Sequence, residues 1–237
     1  MATQTLVTKR GFILYDDALA SHASEAWFSP QHWQRHGGLR GTAGGRGAGW
    51  IVAGEDGEWV LRHYRRGGLA ARLNTDAYLW TGLERSRPWR EWRLLAELYK
   101  EGLPVPQPVA ANIQRSGLIC RGDLITRLIP DARSLASRLK DAHSEALPWP
   151  AIGACIRRFH EAGVYHADLN VHNVLIDSRD EVYLIDFDRG ARRAPGRRWQ
   201  QGNLERLSRS LRKSAVPAAA ERAAWSGLLD GYDRRPA

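Results

Sequence analysis

Apolar positions come in short bursts through the first half of the chain and recur at helical spacing through the second. Trp50-Ile-Val-Ala53 and Glu58-Trp-Val-Leu-Arg62-His-Tyr64 flank Glu55-Asp56-Gly57. Two apolar runs around Asp-Gly predict a β-hairpin. Ahead of it, Ser29-Pro30 combines a cap with a helix-compatible proline and predicts a short helix within Phe28 to Arg35. From Pro88 the period changes, with Trp92, Leu95 and Leu98 recurring every three residues until Gly102 and Pro104 stop the helix. Pro104-Val-Pro-Gln-Pro108 reads as a stiff extended connector, and Gly117 to Cys120 and Asp123 to Ile129 read as paired strands that Pro130-Asp131 ends. Beyond them Ser134 to Lys140 and Pro148 to Gly163 are helical, the second with Ile152, Ile156 and Phe159 on one face and Gly163 as its C-cap signal. Strands first and helices later predict an α+β chain. Its β-rich front lobe covers 1–130 and its helical rear lobe 131–237, joined near Leu128 to Asp131.

Composition narrows the class without choosing a function. The 237 residues are 43% apolar and include ten Trp, which excludes a disordered or collagen-like polymer because so much aromatic surface must be buried. No apolar run approaches the ~18–20 residues that cross a bilayer, so the expectation is a chain neither exported nor membrane-spanning. Cys120 and Cys155 have no partner at a metal-ligand spacing and read as buried thiols of a reducing cytoplasm. Lys plus Arg outnumber Asp plus Glu by 35 − 26 = +9, and nearly all of the excess is Arg. A basic surface attracts anions, whether nucleic acid, an anionic membrane or a phosphorylated small molecule.

The candidate chemistry lies in Val164-Tyr-His166-Ala-Asp168-Leu-Asn-Val-His172-Asn173-Val-Leu-Ile176 and, after a turn, Val182-Tyr-Leu-Ile185-Asp186-Phe187-Asp188. A carboxylate is followed five residues later by Asn at the head of an apolar strand, and a second carboxylate ends the next strand. A hairpin brings Asn173 and Asp186 together as two hard oxygen ligands of the kind Mg²⁺ takes, while Asp168 just before them can accept a hydroxyl proton in line with a bound γ-phosphate.

His166-x-Asp168-x-x-x-x-Asn173 followed by Asp186-Phe187-Asp188 resembles the catalytic and metal loops of the protein-kinase-like superfamily. With Arg62-His-Tyr-Arg-Arg-Gly-Gly68 and the Asp168-Leu-Asn-Val-His-Asn173 spelling, the chain is similar, from about Gly41 to Gly190, to the 3-deoxy-D-manno-octulosonic acid (Kdo) kinase and lipopolysaccharide core kinase family. Members phosphorylate the inner-core sugar of lipid A from the cytoplasmic side. The resemblance implies a protein-kinase-like bilobal fold, and the 237 − 188 = 49 residues after Asp188 are too few for the full set of rear helices that protein kinases carry, so a trimmed C-lobe is expected. It implies ATP and Mg²⁺, with Asp168 as base and Asn173 and Asp186 as metal ligands. Arg62, Glu91, Gly45, Gly47, Arg127 and Ile129 are the implied nucleotide-binding set, Arg62 standing where protein kinases place a strand Lys and Glu91 being its carboxylate partner, with Glu84 and Glu97 as alternatives. The Gly41 to Gly49 cluster reads as a phosphate cover or a simple flexible loop. His166 reads as packing against the metal loop rather than moving protons, and His172 as orienting substrate or capping the loop.

Departures from the protein-kinase pattern favour a small acceptor. Ala167 stands where an Arg would read a phosphorylated loop, and only Arg189-Gly-Ala-Arg-Arg193 separates Asp188 from Ala194-Pro195-Gly196, which leaves no long segment on which to lay an extended peptide. Arg189, Arg192, Arg193, Arg197 and Arg198 follow the metal loop, and Arg206, Arg209 and Arg212 lie opposite Leu204, Leu207 and Leu211 on a helix. This is either a solvated face or a cationic rim for an acceptor bearing carboxylates and phosphates. The expected acceptor is a Kdo-lipid A precursor and the expected location is cytoplasmic, peripheral on the anionic inner membrane, with no nucleic acid partner. The alternative is another small-molecule or protein kinase of the same superfamily, such as a core heptose kinase.

Overall fold

The structure, a computed structural model, describes residues 3–20, 22–43, 49–65, 76–141, 147–214 and 217–234. The chain divides into two units, Met1–Glu97 with Pro106–Leu128, and Leu98–Val105 with Ile129–Ala237.

The first unit is built on one antiparallel sheet. Its strands are β1 (Thr3–Val7), β2 (Gly11–Asp16), β3 (Leu39–Ala43), β4 (Gly49–Gly54), β5 (Gly57–His63), β6 (Tyr78–Leu79), β7 (Pro108–Ser116) and β8 (Ile119–Arg127). They run in the order β1-β2-β7-β8-β5-β4-β3, with β6 paired to β8. The predicted hairpin is β4 and β5, closed at Gly54↔Gly57, where Gly57 takes a φ of +136° that a side chain would resist. Between β2 and β3 lies the short helix α1 (Pro30–Arg35), whose cap Ser29 accepts the His32 N–H. Aromatic residues from this segment cover the sheet. Trp27 meets Trp59 edge-on at 5.4 Å, Trp33 does so at 6.3 Å, and Trp59 is wholly buried among Ile13, Val52, Leu61 and Ile125. Burial of each such ring contributes about 2–3 kcal/mol.

One strand differs from the sequence reading. The runs expected as two paired strands, Gly117 to Cys120 and Asp123 to Ile129, fall on the single strand β8, whose hairpin partner is β7, Pro108–Ser116, with the chain reversing at Gly117 (φ +60°) and the exposed Leu118. Ala110, Ala111 and Asn112 are fully buried between Val109 and Ile113, and these three poor β-formers dilute the strand signal.

Helix α2 (Arg87–Lys100) follows β6 and turns Trp89, Trp92, Leu95 and Leu98 inward.

The second unit is mainly helical: α3 (Leu135–Asp141), α4 (Trp149–Glu161), α5 (Arg197–Arg212) and α6 (Ala218–Asp233). Its strands are short. β9 (Arg133–Ser134), β11 (Val174–Ile176) and β12 (Val182–Leu184) form one sheet in the order β12-β11-β9, and β10 (Val164–Tyr165) pairs with β13 (Ala191–Arg192). Ile152, Ile156 and Phe159 of α4 are buried as predicted. Against α4 lies α6, so close that a Cβ on Gly153 would meet the Leu228 carbonyl and one on Gly231 the Pro150 carbonyl. The architecture is the α+β arrangement expected. Among the described residues no helix is long and apolar enough to cross a membrane.

Candidate active site

In the first unit, alternation along β5 sends Arg62 and Tyr64 to one side of the strand and Leu61 and His63 to the other. Arg62 and Tyr64 both reach Glu91, which α2 presents among its buried residues. The Arg62 guanidinium donates to Glu91 Oε1 at 3.1 Å, and the Tyr64 hydroxyl donates to Oε2. The Glu91 carboxylate is fully buried while Arg62 keeps 22% of its side chain exposed, so the cation faces solvent from a fixed anchor. Glu84 instead pairs with Arg93 on the surface, and Glu97 is exposed, which leaves Glu91 as the partner of the strand cation. Arg127 is held by the Asp56 carboxylate and carbonyl, and Ile129 lies just past the crossing into the second unit. Gly45 and Gly47 lie outside the described residues.

On the opposite side of β5, His63 donates to Asp123 at 2.6 Å and lies 3.4 Å from Asp76, and Asn112 donates to Asp123. The hydrogen bond to Asp123 is the main cause holding the His63 imidazole above its ordinary value.

In the second unit, β11 and β12 form the predicted hairpin, with Val174 opposite Leu184. Its turn is fastened by Asp177, whose Oδ1 accepts the Arg179 and Glu181 N–H groups at 2.8 and 2.9 Å. At the open end the Ile185 N–H donates to the Asn173 carbonyl, which places Asn173 and Asp186 on neighbouring strand ends. Asp186 has a φ of +64°, in the left-handed region where Asp is tolerated better than bulkier residues. Next to it Phe187 is buried, stacked on Phe159 and inclined to His166 at 4.7 Å.

Asp168 projects from the loop after β10 and is exposed. Asn170 donates to its carboxylate at 3.1 Å, and the Asn173 side-chain amide donates to its carbonyl at 2.9 Å. His166, buried beneath, joins this loop to the strand end that leads into Asp186. Its Nε2 is 2.9 Å from the Ile185 carbonyl, and its Nδ1 accepts the Asp168 N–H at 3.2 Å. Both bonds require the neutral ring with its proton on Nε2, and burial pushes the imidazole pKa down, which favours that form. The ring is a strut, as its position in the sequence suggested. His172 is exposed, and its N–H is taken by Asn170 Oδ1.

Two residues here escaped the sequence reading. Tyr64 carried a signal, since it stands two residues from Arg62 on one strand. Asn203 on α5 carried none, yet it is buried and its amide brackets the His166 backbone, accepting its N–H and donating to its carbonyl. Arg206, one turn on and already part of the basic face read from the sequence, lies 3.6 Å from Asp168. The basic run beyond the metal loop is less uniform than expected. All five of Arg189, Arg192, Arg193, Arg197 and Arg198 are exposed, but Arg192 pairs with Glu101 and donates to the Ala162 carbonyl, and Arg193 lies over the Tyr165 ring.

A solved structure titled "WaaP in complex with acyl carrier protein" matches 94% of this chain and 89% of its own with a TM-score of 0.56 at 17% identity. The fold is therefore the kinase-like fold of that protein. The chain belongs to the lipopolysaccharide kinase (Kdo/WaaP) family, whose model matches residues 30–232. It is 47% identical over 220 residues to the 3-deoxy-D-manno-octulosonic acid kinase of Xanthomonas axonopodis pv. citri (strain 306), covering 90% of this chain and 86% of that relative. The kinase of the same name from Vibrio cholerae serotype O1 is 41% identical over 210 residues, covering 89% of each chain.

Proposed function

We propose that this protein transfers the γ-phosphoryl group of ATP to a hydroxyl of a Kdo residue in the lipid A inner core. The observation that carries the transfer chemistry is the rear-unit constellation, in which Asp168 keeps its carboxylate exposed while its backbone is joined through Asn173 and His166 to the strand end bearing Asp186. The sugar comes from the family and from the name shared by the relatives described above.

In this reading Asp168 orients the acceptor hydroxyl and takes its proton as the oxygen attacks the γ-phosphorus. Arg62, braced by Glu91 and Tyr64, holds the nucleotide phosphates. Asn173 and Asp186 offer an amide oxygen and a carboxylate, a donor set that fits Mg²⁺ but supplies only two ligands, so phosphate oxygens and water must complete its shell. An ion held there would supply neutralisation of the charge that develops on the phosphate oxygens during transfer. Ala167 leaves loop phosphorylation without a receptor cation, consistent with constitutive activity.

The test incubates purified protein with labelled ATP, Mg²⁺ and, separately, a Kdo-lipid A precursor, a heptosylated core, an aminoglycoside and casein. Label should pass to the Kdo acceptor, and Asp168→Ala should lower turnover by about 10³-fold or more while nucleotide affinity is nearly retained. Transfer to casein in preference to Kdo would overturn the acceptor, and turnover of Asp168→Ala within a few-fold of wild type would overturn the base.

Association with the anionic face of the inner membrane belongs to the same proposal, supported by the net charge of +9 and the exposed Arg189, Arg197 and Arg198. Co-sedimentation with anionic vesicles that fades as salt rises is the expected result.

A further inference from the structure

The helix α5 is stapled to the proposed catalytic loop at two points. Asn203, buried, holds the His166 backbone at 3.3 and 2.9 Å, and Ser210 accepts the Val171 N–H at 3.2 Å through its hydroxyl. On the loop these contacts flank Asp168. On the helix they flank Arg206, whose guanidinium consequently stands over the Asp168 carboxylate with Nη1 3.6 Å from Oδ1. The pair is open, with 45% of the Arg206 and 62% of the Asp168 side chain exposed. Its separation is longer than a charge-assisted hydrogen bond, and contacts of this kind contribute little in water. A rigidly mounted cation thus lies beside a carboxylate that binds it only loosely, ready to be taken by a better anion.

We propose that Arg206 is the residue that selects an acid sugar, by receiving the carboxylate of the acceptor while the acceptor hydroxyl sits on Asp168. This rests on the Kdo reading. Kdo is an acid, and on one pyranose ring the carboxylate lies no more than a ring's width from any ring hydroxyl. A hydroxyl delivered to Asp168 therefore brings the carboxylate within the sweep of Arg206. The planar guanidinium can then exchange one loose contact for a two-pronged one. In doing so it leaves the Asp168 oxygen to the hydroxyl proton. A neutral sugar of the same size would leave the cation on Asp168 and gain nothing from it.

The experiment compares a Kdo-lipid A precursor with its carboxamide analogue, in which the acceptor carboxylate is neutralised and the hydroxyls are retained. Wild type should lose about 10–100-fold in kcat/KM on going to the amide. Arg206→Gln should lose a similar factor on the acid, carried mainly by the acceptor KM, and should discriminate little between acid and amide. Its apparent KM for ATP should stay within about twofold of wild type. Arg206→Lys, which keeps the charge without the fork, should fall between the two. Arg209→Gln, one turn further along α5 beside Glu205, should discriminate as wild type does.

Equal discrimination by wild type and Arg206→Gln would overturn the proposal, as would a matching loss in Arg209→Gln, which would mean diffuse attraction rather than a clamp. Wild-type indifference to the amide would overturn it with no variant needed. If wild type transferred nothing to the Kdo acceptor, the acceptor reading itself would fall and the clamp with it.

Discussion

At the scale of single residues, burial decides which charges matter. Glu91 is a buried carboxylate, and removing the Arg62 guanidinium takes away a charged partner while leaving the Tyr64 hydroxyl in place, so Arg62→Ala should cost about 1.5–3 kcal/mol in an unfolding titration. Adding Glu91→Gln should restore part of that loss, because the uncompensated charge disappears, and the coupling between the two changes should exceed about 1 kcal/mol. Additive effects would mean that the pair does not act as one contact. His160 offers a pH test of the same principle. Burial lowers its pKa from 6.5 to about 4, so the folded state holds it neutral beside Tyr232 and Trp199. Below pH 6.5 the unfolded chain takes up a proton that the folded chain refuses. The stabilisation is complete above 6.5 and is lost as pH falls from there towards 4. Wild type should therefore melt lower at about pH 5 than at about pH 7, and His160→Gln should flatten that slope. His63, held above its ordinary value, has the opposite sign and loses its contribution as pH rises through its folded pKa. Asp168, Asn173 and Asp186 stood out in the sequence by their spacing around two apolar strands, whereas Arg62 and Glu91 were singled out only through the family resemblance, and the structure pairs those two. Asn203 was not legible, since a buried Asn on a helix looks like any surface Asn until its partner across 37 residues is known.

At the scale of elements, apolar periodicity identified the β4–β5 hairpin, α2, α4 and α5, and failed where close packing replaces large side chains. α6 begins Ala218-Ala-Ala-Glu-Arg-Ala-Ala and buries Ala224, Leu228 and Gly231, a seam too sparse to stand out from its sequence. The N-terminal hairpin was equally silent, because β1 is an exposed edge strand with no inward face to mark it. The α4–α6 seam sets two magnitudes against each other. Gly to Ala in a helix interior normally gains up to about 1 kcal/mol, whereas forcing a methyl against backbone costs about 1–3 kcal/mol or more. At Gly153 the added carbon would meet the Leu228 carbonyl and lie 2.7 Å from the Tyr232 nitrogen, and backbone cannot step aside. Gly153→Ala should accordingly lower stability by about 2 kcal/mol, while Gly202→Ala on α5, where nothing lies within 4 Å, should raise it by about 0.5–1 kcal/mol. Denaturant midpoints measure both, and a stabilised Gly153→Ala would show that the two helices part more easily than their packing indicates.

At the scale of the whole molecule, the strand-then-helix order was enough to give the fold class, but it implied a single crossing near Leu128. The chain instead changes unit three times, at Glu97–Leu98, Val105–Pro106 and Leu128–Ile129. The first of these falls inside α2, so the helix that supplies Glu91 to one unit ends in the other. This connectivity bears on inheritance. A lobe attached by one linker can be exchanged between genes as a cassette, but no single cut in this chain separates one unit from the other. A gene broken at codon 129 would give a front piece still carrying Leu98–Val105, and a rear piece in which Leu184 has lost the Pro104 carbonyl that its N–H engages. Recombination between relatives should thus yield working chimeras when the borrowed segment includes whole units with their interleaved stretches, and failures when it follows the boundary that the sequence alone suggests.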